Sequence, residues 1–268
     1  YSCAYGKGSV TLPLDEHQVL GVLHGKAVPP LPDIKKALWK SLDDPIDAAP
    51  LRALAVPGQK IALVVSDMTR FWMRQDLVIP HLTDYLTAVC GADPADVTIV
   101  VANGTHPGGS ESELRTLVTD AVFDRFRVEN HDCEAADLVY LGTTAHDTPV
   151  WVNRTVATAG LVICLGACAH HIMAGFGGGR KSILPGVSGL ATIRHNHAYS
   201  LDAARLRSNP AIGNGVLAGN PLHEDMCEAA AMIPKLFMVN LVMNAQMQLA
   251  SIFSGHWRHA WEAGCRQV

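Results

Sequence analysis

The chain has 268 residues, of which 49% are hydrophobic and 17% charged, and its formal net charge is −4 at pH 7. This composition is typical of a soluble globular enzyme with one large domain or two small ones. It gives no reason to expect a nucleic-acid partner, and no apolar run reaches the roughly 18 residues of a membrane span. Residues 1–7 lack the layout of a secretory signal, so we expect a cytoplasmic protein.

The counts of cysteine and histidine carry different information. Seven cysteines are scattered without Cys-x-x-Cys spacing, and their number is odd. This pattern predicts free thiols in a reducing compartment. Thirteen histidines are more than a chain of this length usually carries, so several are expected to do more than pack.

The predicted elements alternate between strands and helices. Residues 1–40 carry frequent glycine and proline and predict an edge strand with connections, and residues 41–46 predict a turn and a helix start. This alternation predicts an α/β fold, with a doubly wound, mostly parallel sheet flanked by helices and a ligand cleft at the strand carboxyl ends. Strands are expected at residues 60–67, 97–102, 127–128, 138–141, 161–165 and 236–242, and helices at 76–89, 114–118 and 224–231.

A glycine-rich loop follows the strand predicted at residues 161–165. Residues 175–179 contain four glycines, and Arg180 and Lys181 follow them directly. Without Cβ atoms the backbone can close around an anion, and the two cations add positive charge. We expect a phosphate or carboxylate as the guest. The loop is not a Walker A motif, because Arg180 stands where that motif has glycine before its lysine.

Two other predicted strands also end in polar segments, at residues 66–70 and 103–106. The carboxyl ends of parallel strands face the same crevice. Asp67, Arg70 and His106 are therefore expected to meet the glycine-rich loop in one pocket.

Each of these side chains also has a plainer interpretation. Arg70 either forks onto a substrate carboxylate or pairs with Asp67 on the surface. His106 is either a general base or a solvated loop histidine. Lys181 is a phosphate ligand, a nucleophile or the attachment point of a carbonyl-type cofactor.

His171 and His197 flank Lys181, ten residues before it and sixteen after it. Imidazole is the commonest ligand for transition metals, but this spacing matches no standard zinc pattern and by itself favours structural roles. The other histidines are expected behind the pocket (His170, His195 and His223) or on the surface (His131, His146, His256 and His259).

These ordered motifs resemble those of the nickel-pincer lactate racemase family, which comprises 2-hydroxyacid racemases and epimerases. The resemblance covers residues 41–265. Its most specific part runs from His171 to Gly186 as His-x-x-Ala-Gly-Phe-x-Gly-Gly-Arg-Lys-Ser-x-Leu-Pro-Gly, with His197 completing it. Further matches are Asp67-x-Thr69-Arg70, Gly104-Thr105-His106 and Gly219-Asn220-Pro221-Leu222-His223.

The resemblance implies a nickel pincer nucleotide, a pyridinium-3-thioamide-5-thiocarboxylic acid mononucleotide that carries nickel. Lys181 would hold it covalently through a thioamide, and His197 would be the protein ligand of the nickel. The phosphate of the nucleotide would lie against Gly177, Gly178, Gly179 and Arg180.

The resemblance also implies the reaction. A small 2-hydroxy acid would lose its C2 hydrogen as hydride to the cofactor while a base takes the hydroxyl proton, giving a 2-keto acid. Return of the hydride to the other face would invert the centre. His106 and His171 would be the alternate bases, and Arg70 would hold the carboxylate with Asp67 beside it.

The chain departs from the family pattern at several positions. Phe71-Trp72 stand where proline usually follows Asp-x-Thr-Arg, Pro107-Gly108-Gly109 replaces a commoner Arg-Pro, and Asn244 and His256 stand where aspartates are usual. Lactate is therefore not the assured substrate.

Family members also have a second domain that supplies substrate contacts. Residues 1–268 are accordingly expected to be the N-terminal, cofactor-bearing catalytic domain. The C-terminal domain, or a subunit replacing it, is expected to lie outside this chain, and other enzymes are expected to make the cofactor. Two alternative functions stay open: a non-redox nucleotide- or phosphate-binding module, and a metal hydrolase with His106, His171 and His197 as ligands.

Overall fold

The computed structural model describes residues 1–6, 8–23, 25 and 27–268. Its centre is a six-stranded sheet with the spatial order β6-β5-β4-β1-β2-β3, in which only β5 and β6 pair antiparallel. The α/β fold predicted from the sequence, with a mostly parallel sheet between helices, is confirmed. The strands are β1 (Ile61–Ser66), β2 (Val97–Ala102), β3 (Arg127–Asn130), β4 (Leu161–Ala167), β5 (Leu236–Met243) and β6 (Leu249–His256).

Helices cover both faces of this sheet. The segment Tyr85–Val89 continues α3 as a π-helical turn, and Met68–Met73 and Gly179–Ser182 are 3-10 turns next to the sheet. The α-helices are α1 (Ile34–Asp43), α2 (Leu51–Leu54), α3 (Ile79–Asp84), α4 (Glu111–Val118), α5 (Asp120–Phe123), α6 (Arg154–Thr158), α7 (Leu190–Ala198), α8 (Pro221–Ala231) and α9 (His259–Gln267).

The remaining strands form two-stranded hairpins outside the central sheet. These antiparallel pairs are Ser2–Tyr5 with Gly8–Thr11, Val139–Thr143 with Pro149–Val152, His170–His171 with Gly175–Phe176, and Leu201–Asp202 with Arg207–Ser208. Short 3-10 turns also occur at Glu16–Gln18, Gln75–Leu77 and Pro94–Asp96.

The core has two halves, one on each face of the sheet, because side chains of a strand alternate between faces. Ile61, Leu63 and Val65 of β1 pack with residues of α1, α3 and α4. Ala62 and Val64 point the other way and pack with residues of α6, α7 and α8. All five side chains are buried. The outcome is a three-layer arrangement that leaves the strand ends free to carry a site.

A crevice opens where the strand order reverses. From β1 the chain builds outward through β2 and β3 and then returns to place β4 on the other side of β1. The pairing of β1 with β4 ends at Val64 and Cys164, whereas β1 pairs with β2 through Ser66 and β4 pairs with β5 through Ala167. The two strands therefore separate at their carboxyl ends, where open α/β sheets bind ligands.

Several local predictions differ from the structure. α1 lies where the sequence predicted connections and a turn; its start is capped by Asp33, which accepts from the Lys36 amide, and it buries Leu38 and Leu42. The N-terminal strands and the one predicted at residues 138–141 belong to hairpins, because their partners are local. The prediction for residues 1–40 includes positions 7, 24 and 26, which lie outside the described residues.

His131 is a correction to the predicted surface histidines. It is only 3% exposed, and its Nε2 lies 2.9 Å from the carbonyl oxygen of Ser188, to which it donates. Burial lowers the pKa of this imidazole, so it is kept neutral.

Among the described residues, no helix has the length and apolar character that crossing a membrane requires.

The loop after β4 packs so closely that two of its positions need glycine. Gly178 and Gly179 have φ angles of +70° and +54°. A Cβ on Gly178 would lie 2.8 Å from the carbonyl oxygen of Ala167, and one on Gly179 would lie 2.4 Å from Cγ of Trp261. Packing alone therefore requires glycine here, whatever the loop binds.

Replacing Gly179 with alanine should lower the free energy of unfolding by roughly 2–5 kcal/mol, from backbone strain and overpacking against Trp261. Denaturant unfolding measures the loss. Gly58→Ala is the matched control, because Gly58 has φ +76° but open space around its Cβ position. Its cost should be limited to about 1–2 kcal/mol of backbone strain. Equal losses in the two variants would contradict the packing argument.

Candidate functional site

The crevice between β1 and β4 is a cavity of about 420 Å³. Its walls come from the carboxyl ends of β1, β2 and β4 and from the loop that follows β4. The structure thus brings together most of the site residues that the sequence predicted. Those in the cavity wall are Asp67, Arg70, His106, His171, Gly177, Gly178, Lys181 and His197.

Arg180 lies under the loop and away from the cavity. Its side chain is completely buried, and its guanidinium donates to His223 Nδ1 at 3.0 Å, to the Phe176 carbonyl at 2.9 Å and to the Ala174 carbonyl at 2.5 Å. It also stacks 4.0 Å from the centroid of the Trp261 ring. These N–H groups donate to partners within the chain, so the guanidinium holds the loop in place. The sequence had predicted that Arg180 contacts a phosphate instead.

The backbone amides of the glycine segment are also largely used within the chain. Gly177 N donates to the Ala169 carbonyl at 2.7 Å, and Gly179 N donates to Oδ1 of Asn240 at 3.0 Å. Of these three glycines, only Gly178 has an amide without a partner among the described residues. An anion at this loop would therefore find fewer free donors than the sequence suggests.

His171 is held in one tautomer by the backbone. Its Nδ1 accepts from the amides of Met173 and Ala174, at 3.2 and 3.1 Å, so the ring proton of the neutral imidazole must sit on Nε2. That Nε2 lies 2.8 Å from Nζ of Lys181. Because Nε2–H donates, the amine must accept through its lone pair. This geometry requires a neutral Lys181, which is the nucleophilic form of an amine.

The electrostatics of the cavity agree with this assignment. Burial and the charges of Arg180 and Arg70 lower the pKa of Lys181 to about 7. Burial, followed by the charges of Lys181 and Arg70, lowers the pKa of His171 to about 4. Burial together with several cations thus keeps His171 uncharged at neutral pH and leaves about half of the Lys181 amine uncharged at pH 7.

Elsewhere in the cavity wall, a chain of hydrogen bonds sets His106 in the other tautomer. Asp67 is 5% exposed, and its Oδ2 lies 2.6 Å from Nδ1 of His106, which therefore carries the proton. Thr69 donates to Oδ1 of Asp67 at 2.6 Å and accepts from Arg70 at 2.8 Å. The result is a free Nε2 on an exposed ring, suited to take a proton. Asp67 thus orients His106, and it also lines the cavity, where the sequence predicted it beside the substrate.

His197 projects from α7 into the cavity wall and is half-buried. Its Nδ1 is buried, so Nε2 is the ring nitrogen that can face the cavity. Burial and the charge of Lys181 lower the pKa of this ring, so it is kept neutral. A neutral imidazole with an unused nitrogen is the form that binds a transition metal.

Some site residues were missed by sequence reasoning. Met73 lines the cavity, and so does His170, which was expected behind it and stacks on Phe176 with 4.8 Å between ring centroids. Trp72, which the sequence comparison placed on the substrate side of the pocket, lines the cavity too. Asn240 was missed although it carries a signal, because a buried amide in the middle of the apolar strand β5 needs a partner.

Comparison with known proteins identifies the origin of this arrangement. Residues 5–208 match the family model described as lactate racemase N-terminal domain. The chain belongs to this family. It is 28% identical to a lactate racemase of Thermoanaerobacterium thermosaccharolyticum over 98% of its own length and 61% of the relative's, and 29% identical to one of Lactiplantibacillus plantarum over 97% and 60%. The chain thus spans about three fifths of these relatives.

Solved structures agree with the family assignment. The lactate racemase apoprotein from T. thermosaccharolyticum superposes with a TM-score of 0.86 at 28% identity, covering 99% of this chain and 61% of that one. A protein from Thermotoga maritima superposes with a TM-score of 0.64 at 18% identity, covering 87% of this chain and 57% of that one. The match to the Thermotoga maritima protein shows a similar fold and nothing more.

Replacing Asp67 with alanine should change the tautomer of His106. Without the carboxylate the Nδ1 proton loses its acceptor, so the Nε2–H form should gain population. Nitrogen-15 NMR of the imidazole ring measures this directly. Asp76→Ala, which removes a carboxylate bonded to Arg74 instead, is the control and should leave the His106 signals unchanged. An unchanged His106 tautomer in Asp67→Ala would contradict the assignment.

Lys181 should react with amine-acylating reagents at unusually low pH. Its pKa of about 7 makes the amine neutral above that pH, whereas an ordinary lysine is neutral only above ~10.4. Peptide mass spectrometry across a pH series should give a midpoint near pH 7 for Lys181. Exposed lysines in the same digest provide the reference. A midpoint for Lys181 equal to theirs would show that the amine is charged.

Proposed function

We propose that this chain is the cofactor-bearing catalytic domain of a 2-hydroxyacid racemase or epimerase. The observation that carries the proposal is the neutral amine of Lys181, held by His171 in a cavity that His106 and Arg70 also enter. Membership of the family and the lactate racemases among its relatives support it. The activity belongs to a protein of which this chain is the N-terminal part.

The substrate would be a small 2-hydroxy acid. Arg70 is a cation in the cavity wall that can bind a carboxylate through two hydrogen bonds, because Thr69 is its only hydrogen-bond partner in the part of the chain that the structure describes. Trp72 stands next to it and restricts the space left for the substrate side chain. A cavity of about 420 Å³ accommodates such an acid together with a nucleotide fragment. Lactate is the first candidate to test.

His106 would take the hydroxyl proton of one enantiomer at Nε2, with Asp67 holding the other ring nitrogen. His171 would serve the other enantiomer. In its present tautomer it offers a proton at Nε2, so it becomes a base there only when that proton leaves and the Nδ1 contacts rearrange. Attachment of a group to Lys181 would remove the lone pair that now accepts this proton.

The residues present fit a nickel pincer nucleotide bound at Lys181. When bound, that group supplies a hydride acceptor for the C2 hydrogen. Lys181 would offer the neutral amine for covalent attachment, and His197 would offer a neutral imidazole in the cavity wall for the nickel. Gly177 and Gly178 line the cavity beside them, whereas Gly179 and Arg180 would act from below the loop.

The partners and location follow from the same proposal. A further domain or subunit would complete the substrate side, in keeping with the relatives' greater length. Other enzymes would make and deliver the cofactor. The described cysteines are all free thiols, which supports a cytoplasmic location. No nucleic-acid or membrane partner is part of the proposal.

The test uses the full protein loaded with the cofactor. Incubation with one lactate enantiomer, followed by chiral chromatography, should yield the other. Lys181→Ala should abolish racemisation and the mass added at this position, and His106→Ala should lower the rate by roughly 10²–10⁴-fold. Lys40→Ala, an exposed lysine on α1, is the control and should racemise normally.

Three outcomes would reject the proposal. Full turnover in Lys181→Ala would show that racemisation does not need a cofactor attached at Lys181. Nucleotide binding without added mass or racemisation would favour a non-redox binding module. Hydrolysis that needs zinc and the three cavity histidines would favour a metal hydrolase.

A further inference from the structure

Three side chains that can bind a metal meet at the surface, outside the cavity. Asp47 follows α1, His256 ends β6 and His259 begins α9. One donor atom from each lies within 4.8 Å of the others. None of the three lines the cavity, so this cluster is separate from the candidate active site.

The backbone fixes two of the three positions. Ile46 N donates to the Ser254 carbonyl at 2.8 Å, and His256 N donates to the Ile46 carbonyl at 2.9 Å. Gly255 makes this approach possible, because its φ is +140° and a Cβ there would lie 2.1 Å from the Ile46 oxygen. Asp47 and His256 are thus held side by side by the chain itself, before any ion arrives.

The side chains are already in contact with one another. His259 Nδ1 lies 2.5 Å from Oδ2 of Asp47, and the rings of His256 and His259 are 4.6 Å apart between centroids at 35°. His256 Nδ1 accepts a long 3.4 Å bond from the Arg258 amide, which leaves its Nε2 available. The Arg258 guanidinium is bound to Glu262 at 2.9 Å, so its charge is paired.

We propose that Asp47, His256 and His259 form a binding site for a divalent transition-metal ion of the zinc class. Two imidazoles and one carboxylate suit zinc, nickel or cobalt better than magnesium or calcium. Tetrahedral zinc needs donors ~3.3 Å apart, which follows from bonds of ~2.0–2.1 Å. The side chains of Asp47 and His259 are 65% and 48% exposed, so they can rotate to close the site and an ion can enter. Water fills the fourth position.

The site joins the segment after α1 to the start of α9, across 212 residues of sequence. A bound ion would therefore link these two segments. Because only the folded chain forms the site, ion binding would stabilise the fold.

The experiment titrates Zn²⁺ into metal-free protein by calorimetry and counts the bound zinc per chain after dialysis. The wild type should bind one more zinc ion per chain than Asp47→Asn, His256→Ala or His259→Ala. If a variant keeps this ion, it should bind the ion roughly tenfold less tightly than the wild type, or still more weakly. Zinc should raise the thermal midpoint of the wild type but not of these variants. Magnesium should leave all midpoints unchanged.

Two kinds of control separate this site from other histidines. Asp44→Asn and His17→Ala change exposed residues of the same types and should bind zinc as the wild type does. His197→Ala should remove only zinc bound in the cavity. Equal zinc uptake and equal thermal shifts in the wild type and the three site variants would overturn the proposal, as would loss of all uptake in His197→Ala.

Discussion

The buried guanidinium of Arg180 is the interaction on which the rest of the site depends. Burying a charge is costly unless its donors are satisfied, and here they are given to His223 and to two carbonyls of the loop, with Trp261 stacked on the guanidinium. The contacts tie the residues before Lys181 to α8 and α9. Trp261 strengthens the tie by donating to the Gly177 carbonyl at 2.8 Å. The loop is therefore held from below, and its upper side stays free for the cavity.

The same charge adds to the effect of burial on its neighbours. Burial lowers the pKa of Arg180 only to about 10, so the guanidinium stays positive at neutral pH. Burial also lowers the pKa of Lys181 to about 7 and that of His171 to about 4, and the charge of Arg180 adds to both shifts. The hydrogen-bond pattern of His171 leads independently to a neutral amine. A structural arginine in this position therefore adds to the effect of burial in favouring the neutral amine of Lys181.

Much of the fold could be predicted because buried parallel strands are apolar runs and their polar ends share one edge. That logic placed Asp67, His106 and Lys181 in one cavity. It could not show that Asp67 bonds to His106, which lies 39 residues away. It also could not show that Arg180 is buried beneath the loop while Lys181 lines the cavity. Adjacent cations look alike in a sequence. β6 was missed for a related reason, since it is an antiparallel edge strand with polar positions such as Ser251.

The glycine-rich loop shows how a pattern with two physical causes misleads. A run of glycines next to cations predicts an anion cradle, and it is also what close packing of a loop on a sheet requires. Free amides distinguish the two, because a cradle needs them and packing does not. Here Gly177 and Gly179 give their amides to Ala169 and Asn240, and Gly179 leaves no room for a side chain against Trp261. Close packing therefore explains most of the motif, and any anion bound here depends chiefly on Gly178 and on the side chains across the cavity.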